Sequence, residues 1–110
     1  MPAVAYALLA AKQGKPDEAI RVARDVQVMG LKIMNNSAGL SDIPSVREIT
    51  NYEVGGVIAL TGFGGMTDVY KVLQDEQNVM RLQEQSAAFV KQYQERVMAG
   101  LAARRNSYAP

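Results

Sequence analysis

Hydrophobic residues recur at helical spacing along most of the chain, and this pattern predicts an all-α protein. Residues 2–13 form a short Ala-rich apolar segment. In residues 17–34, apolar side chains return every three or four positions on a wide face, as in a helix with neighbours on two sides. Gly14 and Pro16 separate the two segments and are a common helix stop and helix start. We therefore expect a helical hairpin over residues 1–36.

Part of the second helix has an alternative. Residues 26–28 and 31–33 alternate apolar and polar side chains, which is the pattern of a half-buried strand. We favour the helix, and a strand over residues 26–33 stays open as the second interpretation.

Turn-forming residues at 35–39 end the hairpin. Ser45 and Glu48 then have the spacing of a capping box, in which a serine and a glutamate satisfy free N–H groups at a helix start. This pattern predicts a short helix that begins near Val46.

Glycine is concentrated after this short helix. Gly55 and Gly56 weaken or end it, because each glycine costs about 1 kcal/mol relative to alanine in a helix. Residues 61–65 contain three glycines and are predicted to form a loop. Residues 37–67 would then hold a turn, a short helix and a Gly-rich loop. The predicted hinge residues are Gly62, Gly64 and Gly65.

The last segment predicts one long helix over residues 68–104. The chain has no glycine or proline between Asp68 and Ala99, and Thr67 is a suitable N-cap. Such a helix is roughly 48 Å long over its uninterrupted part, whereas a compact chain of this size has a radius of gyration of about 13 Å. The helix would overhang the rest of the molecule, so we expect an elongated protein.

Two apolar faces follow this long helix. One has heptad-like spacing and includes Val69, Leu73, Met80, Ala87, Val90, Val97 and Leu101, with Glu76, Gln83 and Gln94 interspersed. The other face carries Leu82, Phe89 and Tyr93. A helix that is apolar on two sides usually has two neighbours, so we expect an oligomer. The predicted oligomer-interface residues are Val69, Leu73, Met80, Leu82, Ala87, Phe89, Val90, Tyr93 and Val97.

Composition excludes several kinds of chemistry. The chain has no cysteine and no histidine, so disulfides, thiolate or imidazole metal sites and Cys–His or Ser–His nucleophiles are excluded. The Gly-rich loop lacks the lysine and the spacing of a phosphate-binding motif. We therefore predict no enzyme activity and no catalytic, cofactor-binding or metal-ligating residue.

Charge is nearly balanced overall but uneven along the chain. The net charge of +1 argues against a dedicated nucleic-acid-binding protein. Residues 91–110 carry four basic side chains against one acidic, and residues 53–90 carry five acidic against two basic. This asymmetry could orient neighbouring copies, acidic segment against basic end. Arg104 and Arg105 are the candidate basic contact.

Membrane association is the second functional interpretation. Residues 54–67 are uncharged, but a spanning helix needs about 20 apolar residues. Residues 1–11 lack the basic start of a signal peptide. We therefore expect neither a signal peptide nor a transmembrane helix, and hence cytoplasmic synthesis or incorporation in a particle. The alternative is a membrane-interacting or pore-forming module that inserts its Gly-rich apolar segment.

Together these patterns predict a single helical domain over residues 1–110. The favoured function is a non-enzymatic structural or assembly subunit in a homo-oligomer or a larger complex, such as a component of a viral particle or of a secretion-type assembly. Its expected partners are other copies of itself and other proteins of the same assembly. Two further alternatives are a ligand-binding module that uses the Gly-rich loop, and a nucleic-acid accessory protein that uses Arg104 and Arg105.

Overall fold

Four helices account for the secondary structure, and no strand occurs in the described residues. A computed structural model describes residues 2–36 and 40–108. The helices are α1 (Ala3–Lys12), α2 (Pro16–Asn36), α3 (Val46–Val72) and α4 (Glu76–Ser107). The all-α prediction is confirmed, and the strand alternative for residues 26–33 is wrong because the whole segment lies inside α2.

The turn between α1 and α2 is a Schellman motif. Gly14 has a left-handed backbone, with φ of 78°. Its N–H donates to the carbonyl of Ala11 at 3.2 Å, and the N–H of Lys15 donates to the carbonyl of Ala10 at 2.9 Å. These two bonds satisfy carbonyls that the end of α1 leaves free. Pro16 then begins α2 without losing a needed N–H donor.

The central helix α3 is continuous through the Gly-rich segment. The Gly-rich loop and the short helix predicted within residues 37–67 are therefore wrong. The turn predicted at residues 35–39 is helical at Asn35 and Asn36, and its remaining residues lie outside the described part of the chain. Gly62, Gly64 and Gly65 lie in helical turns of α3 and do not form a hinge between elements.

Packing against α2 explains why α3 tolerates its glycines. A Cβ atom at Gly62 would overlap the backbone N of Gln27, and one at Gly30 would overlap the backbone N of Ala59. The two helix backbones therefore touch directly, an approach that only small residues allow. This close packing offsets the low helix propensity of glycine.

The long helix begins later than its sequence predicts. Residues 68–72 close α3, and α4 extends from Glu76 to Ser107, past Gly100. Thr67 is no N-cap: its hydroxyl is buried within α3 and donates to the carbonyl of Phe63 at 3.0 Å. The helix predicted over residues 68–104 is thus two helices joined by a tight turn.

The turn between α3 and α4 repeats the geometry of the first turn without a glycine. Gln74 has a positive φ of 58°. The N–H of Gln74 donates to Lys71 at 3.1 Å, and the N–H of Asp75 donates to Tyr70 at 2.9 Å. The carboxylate of Asp75 then caps α4 by accepting from the backbone N–H of Asn78 at 3.2 Å. Because the turn contains neither glycine nor proline, the pattern of turn-forming residues in the sequence does not predict it.

Two apolar clusters hold the helices together. The larger cluster joins α1, α2, α3 and the start of α4, and includes Ala7, Ala10, Ala11, Ala19, Ile20, Ala23, Phe63, Met66, Val69 and Leu82. The smaller cluster contains Met34, Ile49, Tyr52 and Val97. The molecule measures 61 by 26 by 17 Å, and its radius of gyration is 16.5 Å. It is therefore more elongated than a compact chain of this length.

Candidate interaction surface

The helix α4 packs against α3 with the face that carries its aromatic residues. The rings of Phe89 and Phe63 lie 5.5 Å apart, and those of Tyr93 and Tyr52 are stacked at 5.8 Å. Leu82 is only 3% exposed and belongs to the larger cluster. Three of the predicted oligomer-interface residues, Leu82, Phe89 and Tyr93, therefore contact α3 of the same chain.

A glycine of α3 makes room for this contact. A Cβ atom at Gly56 would overlap the ring of Tyr93. The sequence suggests that Gly56 weakens or ends its helix. In the structure the helix continues, and Gly56 lets the ring of Tyr93 lie against the helix backbone. The adjacent Gly55 faces α2 instead, where a Cβ would meet the side chain of Met34 at 2.7 Å. The glycine pair thus serves two neighbouring helices, which sequence spacing alone does not reveal.

Val69 and Leu73, the first two predicted interface residues, belong to the core of the chain. Val69 is fully buried in α3, and Leu73 is half-buried against the larger cluster. The turn at Gln74 separates both residues from α4, so they do not continue its heptad spacing on one straight helix.

The other face of α4 forms a narrow row that we call the α4 stripe. Its residues, alternately four and three positions apart, are Glu76, Met80, Gln83, Ala87, Val90, Gln94, Val97, Leu101 and Arg104. Met80 is 61% exposed and Leu101 is 45% exposed. Val97, at 9%, is the one buried member and lies on the side of the row that meets α3. Six of the nine residues of the α4 stripe are exposed, and Val90 and Arg104 are half-buried.

The backbone of α4 lies close to one other helix. Within residues 2–36 and 40–108 it approaches α3 but neither α1 nor α2, although Met34 and Val97 belong to one apolar cluster. A groove of about 540 Å³ separates α4 from α2, with Leu31 and Met34 on one wall and Phe89 on the other. The helix is therefore attached along one side only.

Tyr93, one of the two tyrosines that line this groove, has a shifted pKa. Burial raises the pKa of the Tyr93 hydroxyl, and the negative charge of Glu53 raises it further. Tyr93 therefore stays neutral well above physiological pH. Its ring packs against that of Tyr52.

The start of α3 positions the far end of α4. The hydroxyl of Ser45 accepts from the backbone N–H of Glu48 at 3.1 Å, which confirms the predicted N-cap. The carboxylate of Glu48 accepts from the hydroxyl of Ser41 at 2.8 Å, and this hydrogen bond lowers the pKa of Glu48. The segment ordered in this way brings Leu40 and Pro44 against Gly100 of α4.

Beyond Gly100 the helix carries a basic end. Arg104 lies over the ring of Tyr108, at 5.4 Å from its centre. Arg105 and Tyr108 are exposed, and residues 97–108 contain no acidic side chain. The candidate basic contact at Arg104 and Arg105 therefore lies on the last two turns of α4, where cations also complement the helix dipole.

Comparisons with known proteins assign no family. No protein-family model, curated protein or solved structure matches the chain significantly. Within residues 2–36 and 40–108, no helix is both long and apolar enough to cross a bilayer. Those same residues contain no cluster of three or more acidic side chains arranged to hold a metal ion.

Proposed function

We propose that this protein is a non-enzymatic structural or assembly subunit that acts through helix packing in a homo-oligomer or a larger complex. One observation carries the proposal: α4 has two apolar faces, and α3 covers mainly the face of Leu82 and Phe89. Most residues of the α4 stripe, including Met80 and Leu101, are exposed, and Val97 is its one buried member. Exposed apolar surface is where interaction sites are found, and the exposed apolar members of the α4 stripe make this face the candidate.

The shape of the molecule supports the same proposal. The chain is 61 Å long but only 17 Å thick in its smallest dimension. A thin helical subunit has a large surface for its volume, so much of it is available to neighbours in the proposed assembly, such as a viral particle or a secretion-type assembly. Other copies of the chain and other proteins of that assembly are the proposed partners.

Light scattering over a concentration series tests this function directly. The expected result is a mass that is a multiple of the 12.0 kDa chain and that grows or persists as concentration rises. A folded species of 12.0 kDa at every concentration would contradict self-assembly. In a matched concentration series, the variant Leu101→Gln, which changes the α4 stripe, should shift the equilibrium from the oligomer toward the single chain.

A second candidate function is membrane contact through α3. Val54 and Val57 are exposed on the outer side of α3, and the helix is uncharged from Val54 to Thr67. Insertion of the Gly-rich segment would require α3 to leave α2, because Gly62 lies directly against Gln27. Flotation with liposomes tests this candidate: co-flotation would support it, and its absence at every protein concentration would exclude it.

A further inference from the structure

The α4 stripe is uncharged in its middle and oppositely charged at its ends. Between Met80 and Leu101 its members are apolar residues and two glutamines. Glu76 lies at one end, in the first turn of α4, and Arg104 lies at the other. Arg105, which is exposed, adds a second positive charge beside Arg104.

This arrangement is complementary to itself in one orientation only. A second copy of the stripe aligned in parallel would place Glu76 beside Glu76 and Arg104 beside Arg104, and like charges in contact are unfavourable. An antiparallel copy places the basic end near the acidic end. It also buries the uncharged middle against an identical surface, as an interface with two-fold symmetry requires.

We propose that the partner of the α4 stripe is the α4 stripe of a second copy, packed antiparallel about a two-fold axis. This inference rests on the proposed self-assembly and specifies its interface. In an antiparallel pair, facing residues have numbers with a constant sum, and the heptad spacing allows only those sums that place stripe residues opposite one another. One such register, which overlaps the stripes over residues 80–104, pairs Met80 with Arg104, Gln83 with Leu101 and Val90 with Gln94 of the other copy.

The register brings the charged groups within reach. Arg104 and Arg105 of one copy lie at the level of Met80 of the other, one helical turn from Glu76 and one from Glu84. A turn is about 5.4 Å long, so the long arginine side chains span it. The α4 stripe is roughly 42 Å long from Glu76 to Arg104.

Disulfide trapping tests both the face and the orientation, because the natural chain has no cysteine. Gln83→Cys and Leu101→Cys are prepared as separate proteins, each with an exposed position that the fold does not need. Mild oxidation of the mixture should give a covalent dimer containing one of each variant. Each variant oxidised alone should give almost no covalent dimer.

A matched pair on the other side of α4 serves as the control. Gln85 and Ala99 have the same register sum as Gln83 and Leu101, and both are exposed, but neither lies on the α4 stripe. A mixture of Gln85→Cys and Ala99→Cys should therefore give no covalent dimer under the same oxidation.

The remaining outcomes overturn the proposal in distinguishable ways. Covalent dimers from Gln83→Cys alone and from Leu101→Cys alone would show a parallel pair. An oligomer by light scattering without trapping in the Gln83–Leu101 mixture would reject this face or register and leave self-assembly standing. A single-chain mass at every concentration would reject the proposed function together with this inference.

Discussion

Among the described residues, Gly14 and Gln74 adopt a left-handed backbone at helix ends, and the free-energy cost of that conformation differs between them. Gly14 adopts φ of 78° without strain because it has no Cβ. Gln74 adopts φ of 58° with a full side chain, a conformation that costs a residue with a Cβ about 1–2 kcal/mol. The hydrogen bonds of the turn and the cap formed by Asp75 hold Gln74 in place.

Gln74→Gly should therefore stabilise the protein. We expect the free energy of unfolding to rise by about 1 kcal/mol, measured by denaturant unfolding followed by circular dichroism. Gly14→Gln is the matched reverse change, since no atom lies within 4 Å of a Cβ built at Gly14. It should lower stability by a similar amount, and a neutral or destabilising Gln74→Gly would contradict the strain at this turn.

At the scale of elements, the glycines of α3 have different roles although they are close in sequence. A Cβ at Gly62 would enter the backbone of α2, whereas a Cβ at Gly64 would meet no atom within 4 Å. Glycine at the exposed position only lowers helix propensity. Glycine at the buried position is required for the distance between α2 and α3.

Alanine substitution separates these two roles. Gly64→Ala should raise the free energy of unfolding by about 0.5–1 kcal/mol, the usual gain at an exposed helix position. Gly62→Ala should lower it by about 1–3 kcal/mol or more, because the added methyl group overpacks the contact with α2. Thermal and denaturant unfolding measure both changes. Equal effects of the two substitutions would indicate that this segment is not a helix packed on α2.

At the scale of the whole molecule, the two faces of α4 separate folding from assembly. Phe89 packs on Phe63 and links the two apolar clusters along the long axis of the molecule. Leu101 lies on the α4 stripe, exposed and outside both clusters. A change on one face should therefore affect stability, and a change on the other should affect association.

Phe89→Ala and Leu101→Gln form the test of this separation. Phe89→Ala should lower the free energy of unfolding by about 3 kcal/mol, because it leaves a cavity between α3 and α4. Leu101→Gln should change stability by about 0.5 kcal/mol or less, as surface substitutions do, while it raises the concentration needed for self-assembly. Unfolding measured below the assembly concentration reports the change in stability. Light scattering above that concentration reports the change in self-assembly. Loss of stability in Leu101→Gln would place Leu101 in the fold and remove it from the interface.

Sequence reasoning succeeds in this chain where the cause is local. The all-α fold follows from hydrophobic spacing, since one face of each helix must be apolar to pack. The cap at Ser45 follows from its own side chain, which reaches the N–H of Glu48 three residues later. The separation of Phe89 from the α4 stripe follows from the helical period, so the sequence alone distinguishes the two faces of α4.

Other features of the fold are decided only by the tertiary structure, because long-range contacts there override the local conformational preference of the sequence. In the sequence, the glycines at 62, 64 and 65 resemble a loop. In the structure α2 packs against Gly62, and this close packing of the two backbones offsets the low helix propensity of glycine. The turn at Gln74 has no sequence signal, since its hydrogen bonds come from backbone groups that every residue carries. Which face of α4 meets α3 is likewise not local: the space left by Gly56 admits Tyr93, and the α4 stripe remains exposed.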